Sequence, residues 1–225
     1  GPGEDFDRYP RTLDADLRVL AAEGVDYAFV PEVDTIYPDD PAPETLPLPG
    51  VATTPGLEDR IRPGHFEGVV QVVSRLFDLL QPRIAVFGEK DYQQVRVIES
   101  LVANQPDRWT DLRIVRAPIV RDADGLALSS RNRYLDAYQR HRALTIHQAM
   151  TRFQHEPDPV HIEQAMHDHL VRHGLTVDYA VVRDADTLQP VLDRSRPRRT
   201  LVAARLDGVR LIDNLELPPL EESGA

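Results

Sequence analysis

The stretch Arg83-Ile84-Ala85-Val86-Phe87-Gly88-Glu89-Lys90-Asp91-Tyr92-Gln93-Gln94 decides the first reading of the fold. Residues 83–87 are largely apolar and read as a buried strand. Gly88 turns the chain, and Asp91 opens a helix that the spacing of Val95, Ile98, Leu101 and Val102 carries to about Asn104. A glycine after a buried strand lets backbone approach a ligand. The helix that follows presents free N–H groups, a natural anion site. In open parallel sheets, ligands bind outside the carboxyl ends of the strands. Lys90 stands at that edge and is the only lysine; the other 25 of the 26 basic residues are Arg. Lys is a compact point charge on a thin stem, whereas Arg is a rigid planar fork. A retained lysine therefore suits phosphate contact in a narrow pocket. The plainer reading is a capping pair between Asp91 and Gln94 at a helix start.

Working outward, Leu112-Arg113-Ile114-Val115 reads as a second strand. Upstream, Val69, Val72, Val73, Leu76, Phe77 and Leu80 give a helix over 65–81 that Pro82 closes. Strand–helix alternation of this kind predicts a parallel sheet with helical crossovers. Thr12 is placed to cap a helix with Leu17, Leu20 and Ala21 on its buried face, ended by Gly24. Tyr27-Ala28-Phe29-Val30 reads as a short buried strand, and residues 38–56 as a Pro-rich acidic surface loop. The character changes near Pro118. Asp124-Gly125 signals a hairpin, two helices are expected over 136–156 and 159–173, and Val177–Val182 is a strand. Segments 201–206 and 209–217 flank a second hairpin signal, Asp207-Gly208. Residues 118–225 thus read as a small α+β domain with antiparallel strands and a frayed tail from Pro218.

Composition narrows the classes. The chain has 225 residues, 41% of them hydrophobic, enough for a real core. Its net charge of −11 argues against a nucleic-acid partner. The acid is concentrated: residues 1–60 hold 14 acids against 4 Arg, and the remainder holds 23 against 22. Cysteine is absent, which excludes disulfides, thiolate metal sites and thiol nucleophiles. No apolar run approaches a membrane span and no signal peptide is visible, so no membrane partner and a cytoplasmic location are expected.

Two other segments carry chemistry. In Leu128-Ser129-Ser130-Arg131, two hydroxyls and a guanidinium follow a strand end; they suit phosphate oxygens, or simple turn capping with Arg131 on the surface. In Arg62-Pro63-Gly64-His65, the imidazole is either a general base or a residue that orders the helix start; the second reading is preferred, because sequence assigns it no carboxylate partner. The other seven His fall between His141 and His173 and are read as solvated helix faces. His169 and His173 share a face, but two imidazoles make no zinc site.

Together the segments resemble the pantothenate synthetase (pantoate–β-alanine ligase) family. The resemblance is carried by Glu4-Asp5-Phe6-Asp7-Arg8-Tyr9-Pro10-Arg11-Thr12, Arg62 to Val69, Phe87 to Gln94, Asp124 to Leu135, Val202-Ala203-Ala204-Arg205 and Leu211-Ile212-Asp213-Asn214. It implies a truncated Rossmann-like nucleotidyltransferase parallel sheet with a second, smaller α+β domain. The adenylylating domain would span 1–117, and residues 118–225 would close over the nucleotide. The implied reaction joins pantoate and β-alanine at the expense of ATP, with Mg²⁺, through pantoyl adenylate, in a homodimer. Lys90 and Arg131 would be the catalytic pair. Gly88, Glu89, Lys90, Asp91, Val120, Leu128, Ser129, Ser130 and Arg131 would hold the nucleotide. Gln94, Val69, Val72, Val73 and Arg62 would form the pantoate pocket. The metal ligands are not assigned.

The family often carries Met where this chain has Leu128, a volume-conserving exchange. It also carries a His-x-Gly-His segment and a Gln-Phe pair upstream of the residues that open this chain. A chain lacking them is expected to be weakly active or inactive. Two alternatives stand beside the ligase: a non-catalytic structural or dimerisation fragment, and a related adenylyltransferase acting on another carboxylic acid.

Overall fold

The computed structural model describes residues 9–39, 42, 44–193 and 195–218. In chain order, α1 (Leu13–Ala22), α2 (Val33–Ile36), α3 (Glu58–Ile61), α4 (His65–Leu80), β1 (Ile84–Gly88), α5 (Tyr92–Ala103) and β2 (Arg113–Ala117) build the first half. The second half holds α6 (Ala137–Ala143), α7 (Thr145–Phe153), α8 (Pro159–Arg172), β3 (Thr176–Asp184), β4 (Arg198–Leu206) and β5 (Val209–Leu217). β1 and β2 pair in parallel, from Ile84 opposite Arg113 to Gly88 opposite Ala117, and α5 makes the crossover between them. β3, β4 and β5 form a separate antiparallel sheet in that order. The fold is α/β, as the strand–helix alternation implies.

Three cores hold these parts. Phe66, Val70, Val73 and Phe77 of α4 pack with Val97, Ile98 and Leu101 of α5 and with Trp109. Ile146 and Met150 of α7 and Ile162, Met166 and Leu170 of α8 cover one face of the antiparallel sheet. The third core joins the two halves: Leu57 and Tyr92 meet Tyr179, Leu188, Leu201 and Ala203. Burying one large apolar side chain stabilises by roughly 1.5–3 kcal/mol, so this shared core fixes the halves against each other.

Local chemistry explains the boundaries. Asp136 and Gln139 form a reciprocal capping box at the start of α6. Asp158 caps α8, with Pro159 in the first turn where its missing N–H is harmless. Asp207 and Gly208 both take positive φ, 48° and 86°, and close the two-residue turn that sets Leu206 opposite Val209.

The fold departs from the sequence reading at several places. Leu17 and Leu20 of α1 are exposed, and the helix has no buried residue. Thr12 makes no capping bond there; its hydroxyl donates to Asp16 at 3.1 Å instead. Residues 27–30 form no strand, and Tyr27 is 92% exposed. A strand needs a neighbour to bond to and a face to cover, and among the described residues neither lies beside this segment. The loop over 38–56 is not wholly superficial, because Leu46 and Ala52 are buried. The buried face of α4 runs through Phe66, Val70, Val73, Ser74 and Phe77, leaving Leu80 exposed. The helix expected over 136–156 divides at Leu144 into α6 and α7. The Asp124-Gly125 turn does form, with backbone bonds of 2.9 Å from Asp122 to Leu126 and from Leu128 to Val120, but its arms are too short to count as strands beyond the bridge of Arg121 with Ala127. His169 is buried, not solvated. The tail beyond Pro218 lies outside the described residues.

Candidate active site

The carboxyl end of β1 leads into a 3₁₀ turn over Glu89–Asp91 and then α5. Gly88 has φ −74°, which any residue adopts. A side chain at Gly88 would meet no atom within 4 Å, so its glycine leaves space rather than relieving strain. Asp91 makes no side-chain capping bond, so the capping pair with Gln94 does not form. The Asp91 carboxylate lies 3.9 Å from the Lys90 ammonium.

Lys90 and Asp91 form one wall of a cavity of about 830 Å³. Arg62 and Pro63, Ser129 and Arg131 from the second half, and the Asp207-Gly208 turn with Arg205 and Arg210 line the same volume. Residues from Ile61 to Asp213 thus face one volume, which no stretch of sequence displays. A narrower recess of about 30 Å³ opens beside it, bordered by Arg62, His65, Lys90, Gln94 and Asn214.

The Ser-Ser-Arg segment does two things. Ser129 accepts from the Arg131 backbone N–H at 3.3 Å, the turn-capping role, and also borders the cavity. Ser130 donates to Tyr9 Oη at 2.8 Å, and the Arg131 guanidinium lies 5.5 Å from the Tyr9 ring centroid. Val120 and Leu128 are exposed, at 64% and 48%. Glu89 turns away toward Arg199 and Arg116, at 3.6 and 3.9 Å. Val73 is buried in the α4–α5 core with Val69 and Val72 packed against it; none of the three borders either cavity. His65 does border the recess, with Nε2 2.8 Å from Arg62 Nη1.

Beneath the cavity lies a buried ionic network that sequence reading missed. Glu58 is 7% exposed. It accepts from Arg210 at 2.9 and 2.7 Å and from Tyr179 Oη at 2.6 Å, with Arg62 at 3.7 Å. Burial pushes the Glu58 carboxyl upward, but Arg210, Tyr179 and Arg62 outweigh it and hold the group below its ordinary value. Burial and the neighbouring carboxylate drive the Tyr179 phenol well above its usual range. Asp178 takes Arg210 Nε at 2.7 Å and Arg205 Nε at 3.2 Å. Asp213 clamps Arg121 through two bonds of 2.6 and 2.8 Å. Glu58 and Arg210 stand 152 residues apart, so no spacing rule could have joined them. The matched stretches around Arg205 and Asn214 were the one signal that this strand pair matters.

Chemically the site offers a cationic wall of Lys90, Arg62 and Arg131 around a cavity wide enough for a polyanion. Among the described residues no three His, Asp or Glu side chains converge as a metal cage, and no helix is long and apolar enough to cross a membrane.

Comparison with known proteins gives a consistent match. The family model for pantoate-beta-alanine ligase matches residues 1–216. A pantothenate synthetase of Nocardioides sp. is 45% identical over 227 residues, covering 96% of this chain and 65% of the relative's length. One from Xanthomonas euvesicatoria is 46% identical, covering 96% of this chain and 77% of the relative. The crystal structure of the Thermus thermophilus enzyme superposes with a TM-score of 0.89 at 38% identity, covering 97% of this chain and 79% of the other. The Francisella tularensis ligase, solved with βγ-ATP and β-alanine, superposes with a TM-score of 0.73 at 31% identity, covering 94% of this chain and 72% of the other.

Proposed function

Because the chain belongs to the pantoate-beta-alanine ligase family, we propose that its cavity carries the ATP-dependent condensation of pantoate with β-alanine. The observation that carries the reading is the meeting of Lys90 and Asp91 with Ser129 and Arg131 across one volume of about 830 Å³.

The chemistry asks for charge neutralisation and alignment rather than a protein nucleophile. A pantoate carboxylate oxygen attacks the α-phosphorus of ATP. The new O–P bond forms as the bond to the β-phosphate oxygen breaks, and pyrophosphate leaves. The β-alanine amine then attacks the acyl carbon of the mixed anhydride. The C–N bond forms, the C–O bond to AMP breaks, and the amine's proton passes to solvent. Lys90 and Arg131 offset the charge that builds on the phosphates. Ser129 offers a hydroxyl donor to the same oxygens, and Ser130 joins it when its hydroxyl turns from Tyr9 to the phosphate. Gly88 leaves room for the nucleotide beside Asp91, and Val120 and Leu128 present apolar surface on its far side. Gln94 and Arg62, which border the recess, hold the pantoate hydroxyl and carboxylate. Val69, Val72 and Val73 act only indirectly, packing in the core with Phe66, which borders the recess. Mg²⁺ enters with the nucleotide as part of the substrate, since no protein cage for it converges among the described residues.

The same reading extends to a homodimer in the cytoplasm. Exposed apolar residues of the N-terminal segment, among them Val19, Tyr27 and Val33, support a subunit contact, and sedimentation tests it.

The direct experiment is pyrophosphate release from ATP with pantoate, followed by pantothenate formation on adding β-alanine. Lys90→Arg is expected to lose about 100-fold in kcat/KM, since a fork does not replace a point charge in this wall. Faster release with a different carboxylic acid would refute pantoate as the substrate.

A further inference from the structure

Asn214 reaches the nucleotide-facing turn from the other half of the molecule. It lies on β5, 2% exposed. Its Nδ2 donates to the Glu89 carbonyl at 2.8 Å and to the Lys90 carbonyl at 3.0 Å. Its Oδ1 accepts from Arg199 Nη1 at 2.6 Å. The orientation of the carboxamide is settled by its partners. A guanidinium can only donate and a carbonyl can only accept, so a flipped amide would face repulsion on both sides. The frame around it is equally determined. The Asn214 backbone N–H donates to Asp213 Oδ1 at 2.8 Å, and Asp213 is itself clamped by Arg121. Arg199 is held with its guanidinium carbon 4.1 Å from the Tyr92 ring centroid and 3.6 Å from Glu89 at its nitrogen.

From this geometry we propose that Asn214 is a positioning residue for Lys90. Resting on the assignment of Lys90 as a phosphate ligand, the proposal adds that the antiparallel sheet sets where that ligand stands. A lysine stem has four rotatable carbons, so its ammonium is placed only as well as its backbone is held. Within Glu89–Lys90 both carbonyls are pinned by one rigid side chain on a hydrogen-bonded strand. No other residue type supplies two parallel donors and one acceptor at this reach: Asp has no donor, and Gln is one methylene longer. A misplaced reacting or binding group loses much of the benefit of preorganisation.

The test uses the full chain with Lys90 dimethylated by ¹³C-formaldehyde, so that one side-chain signal reports on this site. Mg·ATP is titrated into the unsubstituted protein, Asn214→Asp, Asn214→Ala and Leu217→Ala. Leu217 is a buried residue of the same strand away from the turn, and serves as the stability control. In the unsubstituted protein the Lys90 signal is expected to shift saturably. Both Asn214 variants should raise the Kd for Mg·ATP about tenfold and broaden the nucleotide-free Lys90 line. Leu217→Ala should lower the melting temperature while leaving both readings in place. Unchanged Kd and line shape in Asn214→Asp, or an equal loss in Leu217→Ala, would overturn the proposal. An unsubstituted protein whose Lys90 signal ignores ATP would instead sink the phosphate assignment, and the nucleotide-free line would still decide the positioning role. Should the Asn214 variants fail to fold, ¹⁵N-asparagine labelling of the intact chain resolves three side-chain amides, those of Asn104, Asn132 and Asn214. The Asn214 pair must be slow to exchange and must shift with Mg·ATP; a fast-exchanging, indifferent pair overturns the proposal.

Discussion

Replacing Arg210 with Met isolates the buried charge that ties α3 to the antiparallel sheet. Glu58 is 7% exposed and receives two bonds from Arg210, at 2.9 and 2.7 Å. Removing the guanidinium leaves the carboxylate with Tyr179 at 2.6 Å and Arg62 at 3.7 Å. Breaking a buried pair from one side costs about 3–5 kcal/mol, and the surviving partners place this case at the lower end of that range. The reverse substitution is milder. Glu58→Gln removes the charge but can still accept from Tyr179, and Arg210 keeps Asp178 at 2.7 Å, so about 1–2 kcal/mol is expected. Urea unfolding followed by the fluorescence of Trp109, the one tryptophan, measures both. The pH dependence supplies a second check. Glu58 titrates below its unfolded value of 4.5, so its contribution is complete above that value and is lost as pH falls below it. The gap between the unsubstituted protein and Arg210→Met should therefore narrow on acidification. Combining Arg210→Met with Glu58→Leu should recover most of the loss. A cost below about 1 kcal/mol for Arg210→Met at neutral pH, or a larger cost for Glu58→Gln, would refute the reasoning.

Two further outcomes follow from particular groups. Burial, then His173, Arg152 and Arg172, hold the His169 imidazole below its ordinary value of 6.5, and among the described residues its Nε2 has no hydrogen-bond partner. The unfolded chain takes up a proton that the folded chain resists, so stability is intact above 6.5 and declines as pH falls below it; His169→Leu should reduce that decline in melting temperature, leaving the share that His147, depressed in the same sense, contributes. Tyr92 Oη donates to the Ala185 carbonyl at 2.9 Å across the shared core, so Tyr92→Phe should cost about 1–2 kcal/mol in the same urea assay, and a neutral result would show that this bond does not join the halves.

Sequence determined whatever depends on near neighbours in the chain. The period of α4 and α5, the strand before Gly88, the Asp207-Gly208 turn and the cluster around Lys90 are all set by residues within one or two turns of each other. These elements were legible, and Arg62, Lys90, Asp91, Gln94, Ser129 and Arg131 were picked out and do border a cavity, whereas Val120, Leu128 and the three valines of α4 do not. Composition alone singled out Lys90 as the one point-charge cation of its kind. The pattern misled where an apolar face needs a partner. Leu17, Leu20 and residues 27–30 have the spacing of buried elements, yet burial is a property of two surfaces, and the described residues supply only one. Spacing likewise brought Val69 and Val72 to the inner face of α4, while helix packing put Phe66, Val70 and Val73 at its centre. Tertiary structure alone decided the pairing of Glu58 with Arg210 and the hold of Asn214 on Glu89 and Lys90, contacts across 152 and about 125 residues. Such contacts have no periodicity to reveal them. A hydrogen bond requires donor and acceptor within about 3 Å, and only the packing of the two halves around Tyr92, Tyr179 and Leu201 brings these groups that close.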